Sequence, residues 1–453
     1  MAFGLFILYV VLSYVHPAEI APALASYRIA YWVGLAGLAV AIATLLVTGG
    51  LRASLQLWAI GIFTMVMAVS LMVADRWLGA PILTLRQFGP SLTIFILAIG
   101  TVTSLSRLRV AVACVIGLMT ALTLQGAVAY HLRYDTRLLL IDRDVRSEDA
   151  TANAPETWTD PDSANPVADA DAEGDEEWEP PRIRGLGLMH DPNDLAMEMI
   201  VALGLIGGIW KPGLQIRSLL LAAAAGALAY GIYLTRSRGG AVALMVVLWR
   251  FAAGRIGRIP ALVLFVALSG GAMAVDFGGR SLSFHPDESA SGRLAAWAEG
   301  LEMLKAQPIL GVGYGQFLDH HMLTAHNSLV LCFAETGLLG CFFWTCLFVV
   351  TFLELHRLKN LPGDAAFDGI VRQSAEGLQL SLIGLLTAAF FLSRTFVPTV
   401  YLMVGLSTAL AAIVRAADRS VPLPALPELT ALVLACELGG IAVVYAIVKL
   451  HFA

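Results

Sequence analysis

Charged side chains are scarce in this chain, at 14% of 453 residues, where a soluble domain carries about 25%. The hydrophobic fraction is 58% and the mean hydropathy is +0.76. A water-soluble globule is therefore excluded. Cysteine is also rare. Cys114, Cys332, Cys341, Cys346 and Cys436 all fall inside apolar runs, which excludes a disulfide framework and leaves them as small core residues. The opening MAFGLFILYVVLSYV lacks a basic n-region and a small-residue cleavage site, so it reads as a first span and not as a removable leader. Paired carboxylates of the DxD type occur only within one acidic segment, among them Asp160-Pro-Asp162 and Asp169-Ala-Asp171. No metal and no cofactor are expected, and no nucleic-acid partner.

What the chain does have is apolar runs of the roughly 17 to 25 residues that cross a bilayer. They fall at 3–15, 28–48, 54–75, 88–105, 108–130, 193–210, 216–235, 239–253, 258–275, 326–354, 374–394, 396–415 and 428–449. Backbone in hydrocarbon must satisfy its own hydrogen bonds, so these runs are helices. The expected fold is an all-α polytopic membrane bundle of about 12–13 transmembrane helices, with the lipid bilayer as its surroundings.

Lys and Arg in short loops fix the expected orientation. Arg52, Arg107, Arg109, Lys211, Arg217, Arg250, Arg255, Arg258, Arg357, Lys359, Arg372, Arg415 and Arg419 share one set of alternating loops, assigned to the cytoplasm. The opposite set holds the long connections 131–192 and 276–325, the turn at Thr235–Gly239 and the turn at Arg394–Pro398, all assigned to the periplasm. The expected units are N-terminal spans (1–130), a first periplasmic loop (131–192), central spans (193–275), a second periplasmic loop (276–325) and C-terminal spans (326–453). Within the first loop, residues 142–180 hold fourteen Asp or Glu against two Arg, a local charge of −12 that leaves +7 on the rest of a chain totalling −5. Such a segment buries too little apolar surface to fold alone. It is either a solvated disordered insert or a tether for cations.

The residues suited to chemistry cluster on the presumed periplasmic side. Arg184 stands in the glycine-rich Arg182-Ile183-Arg184-Gly185-Leu186-Gly187, where backbone amides and a guanidinium suit an anion. Asp191, Pro192 and Asn193 follow, and Asp191 with Pro192 also reads as a plain helix start. The turn Thr235-Arg236-Ser237-Arg238-Gly239-Gly240 interrupts two spans, and its glycines suggest that a helix ends there. Its arginines either snorkel at the headgroup boundary or form a phosphate clamp, to which the planar guanidinium fork is suited.

Residues 291–305 have helical apolar spacing and read as an amphipathic helix at the interface. Arg293 and Trp297, four apart, share a face on which stacking is possible, so this helix is an interfacial anchor or a substrate contact. Pro308–Gly315 supplies a flexible turn, and the chain re-enters the membrane at Ala325-His326-Asn327-Ser328. A histidine there is either a satisfied interface residue or, with an unperturbed pKa near 6.5, a general base.

The order of these motifs resembles the bacterial O-antigen ligase and O-antigen polymerase family. The resemblance rests on RxRGxGxxxDPNDLA at 182–196, TRSRGG at 235–240, GRLAAWAEGLEMLKAQPILGVGYGQF at 292–317 and AHNSLVLCFAETGLLG at 325–340, about a third of the chain. It implies a GT-C-like glycosyltransferase of the inner membrane with its site facing the periplasm. It further implies Arg238, Arg293 and His326 as the functional core, with Arg184, Arg236, Asn193 and Asn327 toward substrate. The donor would be a polyprenyl-pyrophosphate-linked glycan and the acceptor a glycan or lipid A-core, joined by metal-independent inverting transfer. Ligase and polymerase share these motifs and stay open. The acidic insert before Arg184 departs from the family pattern. A transporter or flippase of the same lipid is the alternative, for which Glu198 is the candidate relay; no internal repeat supports it.

Overall fold

The computed structural model describes residues 2–48, 54–133, 136–141, 181–211, 213–274, 288–363, 366–417 and 421–452. The acidic segment 142–180 lies outside the described residues, as do 275–287 of the second long connection. All thirteen apolar runs fall on helices: α1 (Ala2–Val15), α2 (Ile29–Thr48), α3 (Leu55–Asp75), α4 (Ala80–Thr101), α5 (Leu105–Leu132), α6 (Pro192–Ile209), α7 (Ile216–Thr235), α8 (Arg238–Ile256), α9 (Arg258–Ala274), α11 (Ser328–Lys359), α12 (Ala366–Ala389), α13 (Pro398–Ala416) and α14 (Leu426–Phe452). Between α9 and α11 lies the amphipathic α10 (Glu288–Ala306). Among the described residues, ten helices are long and apolar enough to cross a membrane. The other three fall short for separate reasons: α1 and α9 are shorter, and α12 carries Asp368, Arg372 and Glu376 in its first half.

Some ends differ from expectation. Helix α4 begins at Ala80, well before residue 88, because Arg86 and Gln87 are accommodated within the helix. Helix α12 stops at Ala389, and residues 390–397 form a separate compact turn before Pro398 opens α13.

The centre of the bundle is α6 and α13, each with 83% of its spanning window buried. Lipid offers no hydrophobic drive for helix association, so close approach through small residues has to supply it. Helices α6 and α12 meet in this way. A Cβ on Gly204 would stand 2.4 Å from the Ser381 amide nitrogen, and one on Gly208 would stand 2.2 Å from that of Gly377. The Ser381 hydroxyl donates to the Val201 carbonyl at 2.7 Å.

Side-chain bonds sort the helix ends onto two faces. At one, Glu354 near the end of α11 accepts from Gln56 at 2.6 Å and pairs with Arg415 at the end of α13. At the other lie the end of α1, the α7–α8 turn, α10 and the α12–α13 turn; this is called the site face below. A two-stranded antiparallel ladder there pairs Leu140–Ile141 (β1) with Arg182–Ile183 (β2), so the chain leaves for the acidic segment and returns at one point.

Helix α11 is interrupted at Gly337, whose φ of 64° and ψ of −171° are open to glycine and strained for other residues. The break is filled by the preceding loop. Val312 and Gly313 amides donate to the Ala334 and Glu335 carbonyls at 2.9 and 3.2 Å. In return the Leu338 and Leu339 amides donate to the Pro308 and Ile309 carbonyls at 2.9 and 3.2 Å. The Ser70 hydroxyl of α3 sits at both the Leu310 and Glu335 carbonyls, at 2.6 and 2.7 Å. The segment expected as a flexible turn is thus a fixed part of the helix packing. A Cβ on Gly311 would lie 2.4 Å from the Glu335 carbonyl carbon, which leaves no room for a larger residue.

Candidate functional site

The Arg236–Arg238 turn forms as the glycines suggest. Helix α7 ends with Arg236 in the left-handed region at φ 52°, and Ser237 then caps α8 by accepting from the Gly240 amide at 3.0 Å. Arg238 is therefore the first residue of a new helix and sits at the site face. Arg182 steadies the turn by donating from Nε to the Thr235 carbonyl at 2.8 Å.

Helix α10 packs on α11 and α14 through Ala296, Trp297, Leu301 and Met303, all buried. The Trp297 indole N–H donates to the Ala325 carbonyl at 2.9 Å, and its ring meets Phe390 edge-on with centroids 5.4 Å apart. Trp297 therefore ties α10, the residue before His326 and the α12–α13 turn together. Arg293, one turn earlier, is partly buried.

His326 has φ 46°, unusual for a residue other than glycine. Its neighbours hold it there. Asn327 caps α11, its Oδ1 accepting from the Leu329 and Val330 amides at 2.9 and 3.1 Å. The Ser328 hydroxyl accepts from the Arg394 amide at 2.8 Å and donates to the Leu392 carbonyl at 2.6 Å. Thr395 donates to the Ser328 carbonyl at 2.6 Å, and Thr324 donates to Ser393 at 2.7 Å.

Electrostatics tie the three residues of the expected core to one another. Burial, then the Arg293 and Arg394 charges, push the His326 imidazole down to about 4, against a smaller opposing pull from Asp191. Burial lowers the Arg293 guanidinium, with Asp191 acting against the shift and Arg238 adding to it. The structure thus brings Arg238, Arg293 and His326 together around Asp191, and His326 is neutral at pH 7.

Two further residues belong to this site and were not singled out from the sequence. Arg394 forms a two-pronged ion pair with Asp194 at 2.5 and 2.7 Å, with both side chains almost fully buried. The pair locks the α12–α13 turn onto the first turn of α6, whose cap Asp191 accepts from the Asn193 amide at 2.6 Å. Asn193 itself is partly buried beside that cap. The signal was available in sequence as an Asp one turn into a span and an Arg just beyond another, but 200 residues separate them.

Arg184 lies in a second cluster. Its backbone N–H and Nε donate to the Leu139 and Leu138 carbonyls at 2.9 and 3.1 Å. Burial lowers its guanidinium, opposed by the Glu19 charge. Burial works to raise the Glu19 carboxyl, but hydrogen bonds from His16, His190 and the Gly187 amide overcome it and bring the group far below the carboxylate range. The glycine motif around Arg184 therefore serves to seat the α1–α2 connection.

Glu335, inside the His-Asn-Ser-Leu block, is buried and accepts from the Gly315 and Phe317 amides at 2.9 and 3.2 Å. It anchors the loop that leads to His326.

Residues 221–345 match the family described as O-Antigen ligase. A curated relative, the exopolysaccharide production protein ExoQ of Rhizobium meliloti (strain 1021), is 30% identical over 22% of this chain, and the match spans 29% of that relative. The matched stretch runs from within α7 into α11 and carries Arg238, Arg293 and His326, so this part of the polytopic helical membrane chain is similar to the O-antigen ligase family.

Proposed function

We propose that the chain transfers a polyprenyl-pyrophosphate-linked glycan to an acceptor in surface polysaccharide assembly, at the periplasmic face of a bacterial inner membrane. The observation that carries this reading is the convergence of two arginines on a histidine held neutral. Arg238 and Arg293 hold the pyrophosphate, with Arg236 and Asn193 flanking it. The acceptor hydroxyl gives its proton to His326, and its oxygen attacks the anomeric carbon from the side opposite the phosphate. The bond from that carbon to the phosphate oxygen breaks, so the configuration inverts and a polyprenyl pyrophosphate anion leaves. Fixed cations at the developing charge do what a metal would otherwise do. Bound pyrophosphate also offsets the field that keeps His326 low, so the base gains strength when the donor is present.

A flippase reading draws on the interruption of α11, because transporters bind cargo at broken helices. Here Pro308–Gly313 occupies the amides and carbonyls flanking the break, and the Glu198 carboxylate accepts from both the Tyr14 and Thr399 hydroxyls. Those groups are committed to packing, which favours transfer over transport.

The test compares glycans from a deletion strain carrying wild type or His326→Ala. Loss of chain transfer at normal protein level is expected, and near-normal transfer by His326→Ala would remove the general-base role. In the deletion strain, free long chains with bare lipid A-core identify a ligase, whereas single repeats on the acceptor identify a polymerase.

A further inference from the structure

The face opposite the site carries a second charged cluster, toward the far ends of α8 and α11. Arg250 and Arg255 stand on α8, Lys359 closes α11 and Glu376 lies on α12. Arg255 is committed to packing. Its Nη1 and Nη2 donate to the Phe251 and Gly207 carbonyls at 3.2 and 3.1 Å. The same guanidinium lies 3.5 Å from the Phe251 ring centroid and 6.0 Å from that of Trp210, and its Nη1 reaches Glu376 Oε1 at 3.9 Å.

Glu376 is shared among three cations. A Cβ on Gly254 would stand 3.6 Å from its Oε1 and 3.7 Å from the Arg250 Nη1, so carboxylate and guanidinium both approach the bare backbone of Gly254. The Lys359 ammonium feels the Arg250 and the Glu376 charges together. One carboxylate against three cations leaves two positive charges uncompensated. Arg250 and Lys359 are half-buried, and among the described residues neither makes a hydrogen bond or an ion pair. Cations at helix ends can reach water separately by snorkelling. Here side chains from two helices are held within range of each other, and their repulsion opposes that arrangement unless an anion joins them. Trp210 beside the cluster marks the level of the headgroups, where Trp is enriched.

We infer that the cluster of Arg250, Lys359 and Glu376 binds the phosphodiester headgroup of an anionic phospholipid, held between the Arg250 guanidinium and the Lys359 ammonium. Basic pockets between spans recognise such headgroups, which are the abundant anions at this depth. Arg250 offers a planar fork to two phosphate oxygens, and Lys359 offers a point charge. Glu376 separates the two cations and limits the affinity, since its carboxylate competes with phosphate. A lipid with two phosphates matches the two uncompensated charges and binds more tightly than one with a single phosphate. The bound headgroup joins α8, which opens on Arg238, to α11, which opens just after His326, from the far side of the membrane. The site is independent of the transfer reading above.

The experiment measures lipid binding to the full-length protein in a non-ionic detergent by native mass spectrometry. The probes are phosphatidylglycerol, diphosphatidylglycerol and phosphatidylcholine. Wild type should bind phosphatidylglycerol about tenfold more tightly than phosphatidylcholine, and diphosphatidylglycerol more tightly still. Arg250→Gln/Lys359→Gln should weaken phosphatidylglycerol about tenfold and leave phosphatidylcholine unchanged. Arg86→Gln, which removes a cation at the site face, should change neither. Glu376→Gln removes the competing carboxylate and should tighten phosphatidylglycerol about threefold, a gain that a damaged fold does not produce. Equal affinities for phosphatidylglycerol and phosphatidylcholine, an unchanged Arg250→Gln/Lys359→Gln protein, or weaker phosphatidylglycerol binding by Glu376→Gln would overturn the assignment. So would displacement of phosphatidylglycerol by millimolar inorganic phosphate, which would make the ligand a free anion and not a lipid headgroup.

Discussion

Removing one partner of the Asp194–Arg394 pair is the sharpest perturbation of this site. The two bonds are 2.5 and 2.7 Å, and the side chains are 2% and 5% exposed, so solvent cannot take over when a partner is lost. Breaking a buried ion pair from one side costs about 3–5 kcal/mol, because the remaining charge is stranded. That is a large part of the roughly 5–15 kcal/mol by which a native protein is typically stable. Asp194→Asn leaves the Arg394 guanidinium uncompensated near His326, whose imidazole that charge already lowers. Arg394→Gln strands a carboxylate instead. In Asp194→Asn/Arg394→Gln two neutral amides can still bond, so most of the loss should be recovered. Thermal unfolding in detergent, read by fluorescence-detected size exclusion, should show both single variants far below wild type and the double variant between. A single variant within about 1 kcal/mol of wild type, or a double variant showing the sum of the two losses, would refute the claim that this pair clamps the turn to α6.

Because the free His326 imidazole titrates near 4, below its ordinary value, the base is lost only on acidification. The acid limb of kcat/KM should therefore fall well below pH 6.5. Lys at position 238 or 293 keeps the charge but loses the two-pronged fork, so transfer should fall on the order of a hundredfold in a radiolabelled-donor assay, and Gln should abolish it. Gly311→Val places a branched side chain against the Glu335 backbone in a left-handed conformation, and it should lower accumulation and melting temperature together in membranes. Deleting residues 148–176 should leave insertion and transfer intact in a complementation assay, since β1 and β2 already close the base of that segment.

The sequence made the spans legible because a sparse charge background leaves apolar runs conspicuous, whereas Arg238, Arg293 and His326 were grouped through the resemblance of their motifs to a family. Helix ends were less visible where polar residues such as Arg86 and Gln87 are absorbed into a helix. Contacts between distant segments were not visible at all. Asp194 falls at the start of one apolar run and Arg394 at the end of another; only packing of α6 against α12 shows that each completes the other. Glycines at 311 and 313 signalled a turn, but nothing in their spacing shows that the turn trades backbone bonds with α11.

That trade bears on how the protein is made. A helix entering lipid cannot carry unpaired amides, so during insertion the Leu338 and Leu339 amides need their ordinary partners one turn back, and α11 crosses as a continuous rod. The interruption at Gly337 can open only once Pro308–Gly313 has arrived to exchange bonds with it and Ser70 is in place beneath. The rod and the loop are the two arms that meet at His326. The bonds traded across the break therefore tie the position of His326 to the packing of Pro308–Gly313 on α11.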